Sequence, residues 1–180
     1  MAAAREEPGP ARVEIRPLRE SDAPLLLDLY LRNARFLRPW EPLHDGSWLT
    51  PGGQELALAA TLRAQLQGLL RDFVILDGGV PAGRVTLSEI TRGAFQNTYL
   101  GYFVSQDHNG RGVATAAARL ALGQAFAVER LHRVQAAIMP RNAGSIRVAE
   151  KLGGVLDRTI TLLGNPVLVY AYRPSRTSRR

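Results

Sequence analysis

Apolar and polar residues alternate at Val13-Glu14-Ile15-Arg16-Pro17-Leu18, the pattern of a half-buried strand. Glu20-Ser21-Asp22 offers helix-capping side chains ahead of Ala23-Pro24-Leu25-Leu26-Leu27-Asp28-Leu29-Tyr30. A first helix is therefore expected, ending before Leu37-Arg38-Pro39-Trp40-Glu41-Pro42, where two prolines forbid its continuation. After a turn at Thr50-Pro51-Gly52-Gly53, residues 54–70 are rich in Ala, Leu, Gln and Arg, which predicts a second helix. Phe73-Val74-Ile75-Leu76 and the β-branched stretch 80–90 flank Asp77-Gly78-Gly79 as in a hairpin, and after Thr91-Arg92-Gly93 residues 96–104 add a third antiparallel strand. Residues 113–129 read as a helix and 133–138 as a strand reached by a parallel crossover. Residues 143–152 form a short helix closed by Gly153-Gly154, and 155–162 pairs with 167–172 across Leu163-Gly164-Asn165-Pro166. The order is strand, two helices, three strands, helix, strand, helix, two strands.

The junction of the fourth strand with the next helix carries the chemistry. In Leu100-Gly101-Tyr102-Phe103-Val104-Ser105-Gln106-Asp107-His108-Asn109-Gly110-Arg111-Gly112-Val113-Ala114 an apolar strand runs through a polar, glycine-bearing turn into an alanine-rich helix. The glycines remove Cβ atoms where a ligand approaches the backbone, and amides at a helix start lack intrahelical acceptors. Such a turn suits a phosphate or pyrophosphate. A dinucleotide fingerprint needs a third glycine where Thr115 stands, and a nucleoside triphosphate loop needs Gly-Lys-Ser or Gly-Lys-Thr, which is absent.

With 180 residues, 46% hydrophobic and 22% charged, the chain suits one globular domain over 13–172, between a flexible segment 1–12 and a basic tail 173–180. The lack of cysteine excludes disulfides, thiolate metal sites and a cysteine nucleophile, and three histidines leave little for a metal centre, so no metal is expected. The first ten residues lack an apolar signal core and no run is long enough to span a membrane, so the expected location is cytoplasmic. A net charge of +7 attracts anions in general without defining a groove; no specific DNA binding and no membrane association are expected.

The element order, with the turn of residues 107–112 after the fourth strand, resembles the GNAT superfamily of acyl-coenzyme A dependent N-acetyltransferases. Asn33-Ala34-Arg35-Phe36-Leu37-Arg38-Pro39-Trp40-Glu41-Pro42, Arg92-Gly93-Ala94-Phe95 with Tyr99-Leu100-Gly101-Tyr102, and Met139-Pro140-Arg141-Asn142-Ala143-Gly144-Ser145 resemble the branch named for acetylating the N-terminal alanine of ribosomal proteins. The resemblance implies an α+β fold: a mostly antiparallel sheet of about seven strands, splayed between the fourth and fifth, with about four helices. It implies acetyl-CoA as cosubstrate, held by Asn109, Gly110, Arg111, Gly112, Val113 and Ala114 in the loop and by the backbone of Tyr102, Phe103 and Val104 along the pantetheine. The family's loop usually begins with Gln or Arg, where this chain has Asp107, expected to face water. Arg111 adds its charge or only its backbone. Asn142 matches an asparagine that holds pantetheine or positions the acceptor, and it can equally cap the short helix. Gly153-Gly154 departs from the Gly-Phe of relatives, and the hairpin lacks their Trp-Asp, which weakens the resemblance on the acceptor side.

Acetyl transfer needs a neutral amine, a donor for the oxyanion and a proton for the thiolate. The amide of Val104 or a neighbour can serve the oxyanion. Ser145, matched to the position that reaches the sulfur, is the candidate acid or a plain helix-start serine. Glu89, at the end of the third strand, and Glu41 are the candidate bases, and Trp40, Glu41 and Glu89 the candidate acceptor contacts, with simple packing an equal reading for Trp40. An α-amine is about one-tenth neutral at pH 7, a lysine about one part in 2,500, which favours a protein N-terminus as acceptor. The basic charge keeps small amines or amino acids open, unless Glu41, Asp45 and Glu89 form an acidic mouth. A non-catalytic acyl-CoA sensor or a ribosome-docking protein is a further alternative, and a homodimer and ribosome association are candidate assemblies.

Overall fold

The computed structural model describes residues 13–40 and 46–174. The expected segment 1–12, Glu41, Asp45 and tail residues 175–180 lie outside the described residues. The elements are β1 (Val13–Pro17), α1 (Ala23–Leu37), α2 (Pro51–Leu66), β2 (Arg71–Asp77), β3 (Val80–Thr91), β4 (Asn97–Val104), α3 (Val113–Gly123), β5 (Arg133–Ile138), α4 (Ala143–Lys151), β6 (Val155–Leu162) and β7 (Asn165–Tyr172).

One seven-stranded sheet has the order β1-β2-β3-β4-β5-β7-β6. Every neighbouring pair is antiparallel except β4 and β5, which run parallel and pair only at Asn97–Arg133, Thr98–Val134 and Tyr99–Gln135. Beyond Tyr99 the strands part, as the resemblance implied. Alternation along β2 splits the core: Phe73 and Ile75 pack with α3 and α4 on one face, and Val74 packs with α1 and α2 on the other. Ala117, Ala118 and Ala121 are fully buried on α3, so small side chains bring this helix close to the sheet.

Helix ends differ from the sequence reading for identifiable reasons. Helix α1 ends at Leu37, one residue beyond the stop expected before it, because its proline brake acts at Arg38-Pro39. Helix α2 begins at Pro51 rather than at residue 54: the Thr50 side chain accepts a hydrogen bond from the Gly53 amide, and proline in the first turn loses no helical bond. It ends at Leu66 rather than residue 70, where Gly68 takes φ +73° and the chain turns into β2. Past α3, the π-helical turn Gln124–Val128 carries the chain to Glu129. The Glu129 carboxylate pairs with Arg71 at 2.6 Å and with Arg92, tying this end to β2 and to the turn after β3.

Gly154 accounts for one departure from the family pattern. A Cβ there would lie 2.8 Å from the Tyr172 ring and 2.9 Å from the Ala149 carbonyl oxygen, so no phenylalanine fits.

At the opposite edge, Arg16 on β1 donates to both oxygens of Asp22 at 2.7 and 2.8 Å, and the Arg19 amide donates to the same carboxylate. These bonds fasten β1 to the start of α1. The Arg16 hydrogen bond is the main cause that holds the Asp22 carboxyl below the usual carboxylate range, against the opposing effect of burial. A carboxyl with a depressed folded pKa stabilises the fold above its unfolded pKa of about 4 and loses that contribution as pH falls through the folded value. Asp22→Asn is expected to lower the unfolding free energy by about 2 kcal/mol at neutral pH. In denaturant titrations the gap from the parent chain should close as pH falls below about 4.

Candidate active site

The parting of β4 from β5 opens a cleft of about 850 Å³. Its floor is the β4 backbone from Gly101 to Val104, whose β5 side has no strand partner. On one wall lies the loop 108–115 with the start of α3; on another lies α4. Tyr30, Phe36, Leu37 and Trp40 close the α1 side.

The loop is shaped by two glycines in the left-handed region, Gly110 at φ +76° and Gly112 at φ +82°. Neither has a heavy atom within 4 Å of where a Cβ would stand, so strain and not crowding makes glycine the suitable residue. Gly112 directly precedes α3, whose first amides have no helical acceptor. The Asn109 side chain donates to the carbonyls of Val104 and Ser105 at 3.2 Å each, closing the loop on itself. Asp107 is exposed and absent from the lining, as expected. Arg111 is about half exposed, with a guanidinium nitrogen 3.6 Å from Asp77, and it too stands outside the lining.

Two contacts missed in the sequence anchor this loop. His108 Nδ1 lies 2.7 Å from an Asp77 carboxylate oxygen at the end of β2. From α1, buried Asn33 accepts the Gln106 amide at 2.8 Å and exchanges hydrogen bonds with the Ser105 hydroxyl at 3.0 and 3.1 Å. Its Nδ2 also donates to the Leu29 carbonyl. An asparagine inside a helix, with a serine 72 residues away, carries no periodic signal of this contact.

Asn142 and Ser145 meet at the start of α4. The Asn142 side-chain oxygen accepts the Ser145 amide at 3.1 Å, so the cap expected of it is present while both residues also line the cleft. Ser145 stands beside the Tyr102 hydroxyl, which is buried and makes no hydrogen bond of full geometry among the described residues. Burial raises the Tyr102 phenol above its usual pKa, with Ser145 acting in the opposite direction. The phenol therefore stays protonated, a donor at the cleft wall.

Beneath the α1 side lies a second polar assembly. Arg84 on β3 binds the fully buried Asp72 through Nε at 2.9 and 3.0 Å and through Nη2 at 2.5 Å, and its Nη1 donates to Tyr30 at 3.2 Å. Thr86 donates to the same carboxylate at 3.1 Å. Burial opposes the Arg84 charge, but the hydrogen bonds and charge of Asp72 outweigh it and hold the guanidinium pKa above its ordinary value. The Tyr30 ring packs at 4.5 Å from Trp48 and 4.9 Å from Phe103. Alternation along β3 puts Arg84 and Thr86 on the face opposite Val85 and Leu87.

Trp40 is half-buried and lines the cleft, so packing and pocket lining hold together there. Glu89 does not join the site. It is exposed and outside the lining, with φ +52° at the break in β3–β4 register between Ser88 and Thr91, and it is out of phase with Arg84 and Thr86, the β3 residues that face the cleft. No Asp or Glu lines the cleft among the described residues.

The comparisons agree with this geometry. A profile of the acetyltransferase (GNAT) domain matches residues 12–155. The chain belongs to the GNAT acetyltransferases. This GNAT chain is 35% identical over 159 residues to the probable N-acetyltransferase YjcK of Bacillus subtilis, covering 84% of this chain and 87% of that one. It is 32% identical over 144 residues to the [ribosomal protein uS5]-alanine N-acetyltransferase of Escherichia coli, covering 79% and 74%. The structure of Mycobacterium smegmatis RimJ in complex with CoA-disulfide superposes with TM-score 0.87 at 26% identity, covering 95% of this chain and 88% of that one. GNAT acetyltransferases use acetyl-CoA. No group of three or more His, Cys, Asp or Glu suited to a metal occurs among the described residues.

Removing one partner of the buried pair should expose its role. Asp72→Ala leaves the Arg84 charge without its partner and is expected to cost about 3–5 kcal/mol in chemical unfolding.

Proposed function

We propose that this GNAT acetyltransferase transfers the acetyl group of acetyl-CoA to the α-amine of a protein N-terminus, with a ribosomal protein as one candidate. The observation that carries the reading is a strand edge free from Leu100 to Val104 that feeds a left-handed glycine loop at a helix start. The residues present fit the carrier: amides at the start of α3 suit its diphosphate, and the open β4 edge suits the amides of its pantetheine. Gly110, Gly112, Val113 and Ala114 line the first of these and Tyr102, Phe103 and Val104 the second.

In the transfer a carbon–nitrogen bond forms, the carbon–sulfur bond breaks, the amine loses a proton and the sulfur gains one. Ser145, with the protonated Tyr102 phenol behind it, supplies the proton to sulfur. The Val104 amide or a neighbour on β4 meets the charge that develops on the acyl oxygen. Asn142 keeps Ser145 in place through its amide. Since no carboxylate lines the described cleft, the amine enters neutral and sheds its proton to water; the modest pKa of an α-amine makes this workable and a lysine acceptor poor. The names of the E. coli relative and of a ribosomal-protein-S5-alanine acetyltransferase structure support this choice of acceptor.

Initial rates of thiol release from acetyl-CoA test the reading. An Ala-starting peptide should be turned over well above its N-blocked, lysine-containing counterpart, and equal rates would remove the α-amine assignment. Ser145→Ala should lower kcat about 100-fold while calorimetric affinity for acetyl-CoA stays within about twofold.

A further inference from the structure

The cleft is one-sided in charge. Arg84, Arg141, Arg147 and Lys151 line it, and among the described residues no acid does. These cations have different tasks. Asp72 neutralises Arg84 from below. Arg147 and Lys151 belong to α4, the wall beside the phosphate loop. Arg141 is left over: exposed, on the β5–α4 connection, and without a carboxylate partner among the described residues.

Its position is nonetheless defined. One Nη donates to the Pro39 carbonyl at 2.9 Å, the guanidinium carbon lies 5.4 Å from the Trp40 ring centroid, and the same Nη approaches Met139 Sδ at 3.7 Å. Arg141 thus reaches from the end of β5 to the loop after α1, 102 residues away, across the mouth of the cleft. The Trp40 ring and a carbonyl contact hold the guanidinium in place through one Nη, while its other nitrogens have no hydrogen bond among the described residues. A planar fork held in this way matches a carboxylate and repels a cation. Arg141 directly precedes Asn142, whose side chain holds the Ser145 amide, so its charge acts close to the reacting amine.

We propose that the acceptor carries a carboxylate within about one to three residues of its reacting amine, and that Arg141 receives this carboxylate over the Trp40 ring. The inference rests on the acetyl-transfer reading and narrows it. A lysine-rich N-terminus or a polyamine brings like charge to the mouth and is selected against. The carboxylate comes from an acidic side chain near a protein N-terminus or from the α-carboxylate of a free amino acid; both offer the same two oxygens.

Thiol release at saturating acetyl-CoA separates the cases. The acceptors are Ala-starting peptides that differ only at their second and third residues (Asp-Glu, Gln-Asn or Lys-Lys), with free alanine and alaninamide alongside. For the parent chain, kcat/KM should fall about tenfold from the acidic to the neutral peptide and again to the basic one, mainly through KM, and the order should persist at 0.3 M salt, where long-range steering is screened. Arg141→Glu should invert the order, and Arg141→Lys should keep its sign with a smaller span. Should Arg141→Glu fail to fold, Arg141→Gln should abolish the acidic preference while still binding acetyl-CoA in calorimetry. Alanine preferred over alaninamide, without any order among peptides, assigns the carboxylate to an amino acid. Turnover of all acceptors at one rate, or an order unchanged by Arg141→Glu, overturns the proposal and leaves acetyl transfer standing. Equal losses on every acceptor in Arg141→Glu, as a merely structural role of Arg141 would produce, also overturn it. No thiol release with any amine overturns both readings.

Discussion

Everything distinctive in this chain follows from β4 and β5 sharing only three residue pairs. A strand interior to a sheet normally has both edges satisfied, and unpaired amides and carbonyls away from water are costly. Here the β4 backbone from Leu100 onward is satisfied by β3 on one side, while its other side faces the cleft. The parting is held open from both directions. Strand β5 continues in register with β7 along Val134–Ile138, and β4 stays with β3 to the Gly83–Val104 pair. Gly83 makes that last pairing possible, since a Cβ there would come 2.2 Å from the Phe103 carbonyl oxygen.

The two sides of the parted sheet differ in chemistry. Toward α3 and α4 the cleft offers backbone donors, the Asn142 cap and the Ser145–Tyr102 hydroxyl pair. Toward α1 it offers aromatic rings and guanidinium groups, one matched by buried Asp72 and one lying over Trp40. The first side combines main-chain donors with three side chains, Asn142, Ser145 and Tyr102, that stand on one stretch of β4 and one helix start. The second depends on side chains brought together from β2, β3, α1 and the β5–α4 connection, and under the proposed function selectivity toward the acceptor is expected there.

This division also explains which parts of the site are legible in the sequence alone. Strand β4, its glycine turn and α3 were legible because strand alternation, a positive-φ glycine and a helix start are local signals that coincide over residues 100–114. Asn142 and Ser145 were legible through the family motif, and the structure brings both to the cleft. Arg141 lay in the same motif without a role, because its stacking partner belongs to another loop. Asp72, Arg84 and Tyr30 looked like ordinary strand and helix residues; their association is made by sheet register and helix packing. Glu89 was chosen for its place at the end of the third strand, but the register break between Ser88 and Thr91 leaves it exposed and outside the cleft.

The Asn33 clasp carries a lesson for building chimeras. Because this α1 residue holds the Gln106 amide and the Ser105 hydroxyl, the first helix is a structural part of the glycine-loop side of the cleft even though its far end lines the aromatic side. A swap of cleft-lining segments between relatives would have to cut after Asn33, since a graft that imports the whole helix also replaces the strut under the glycine loop.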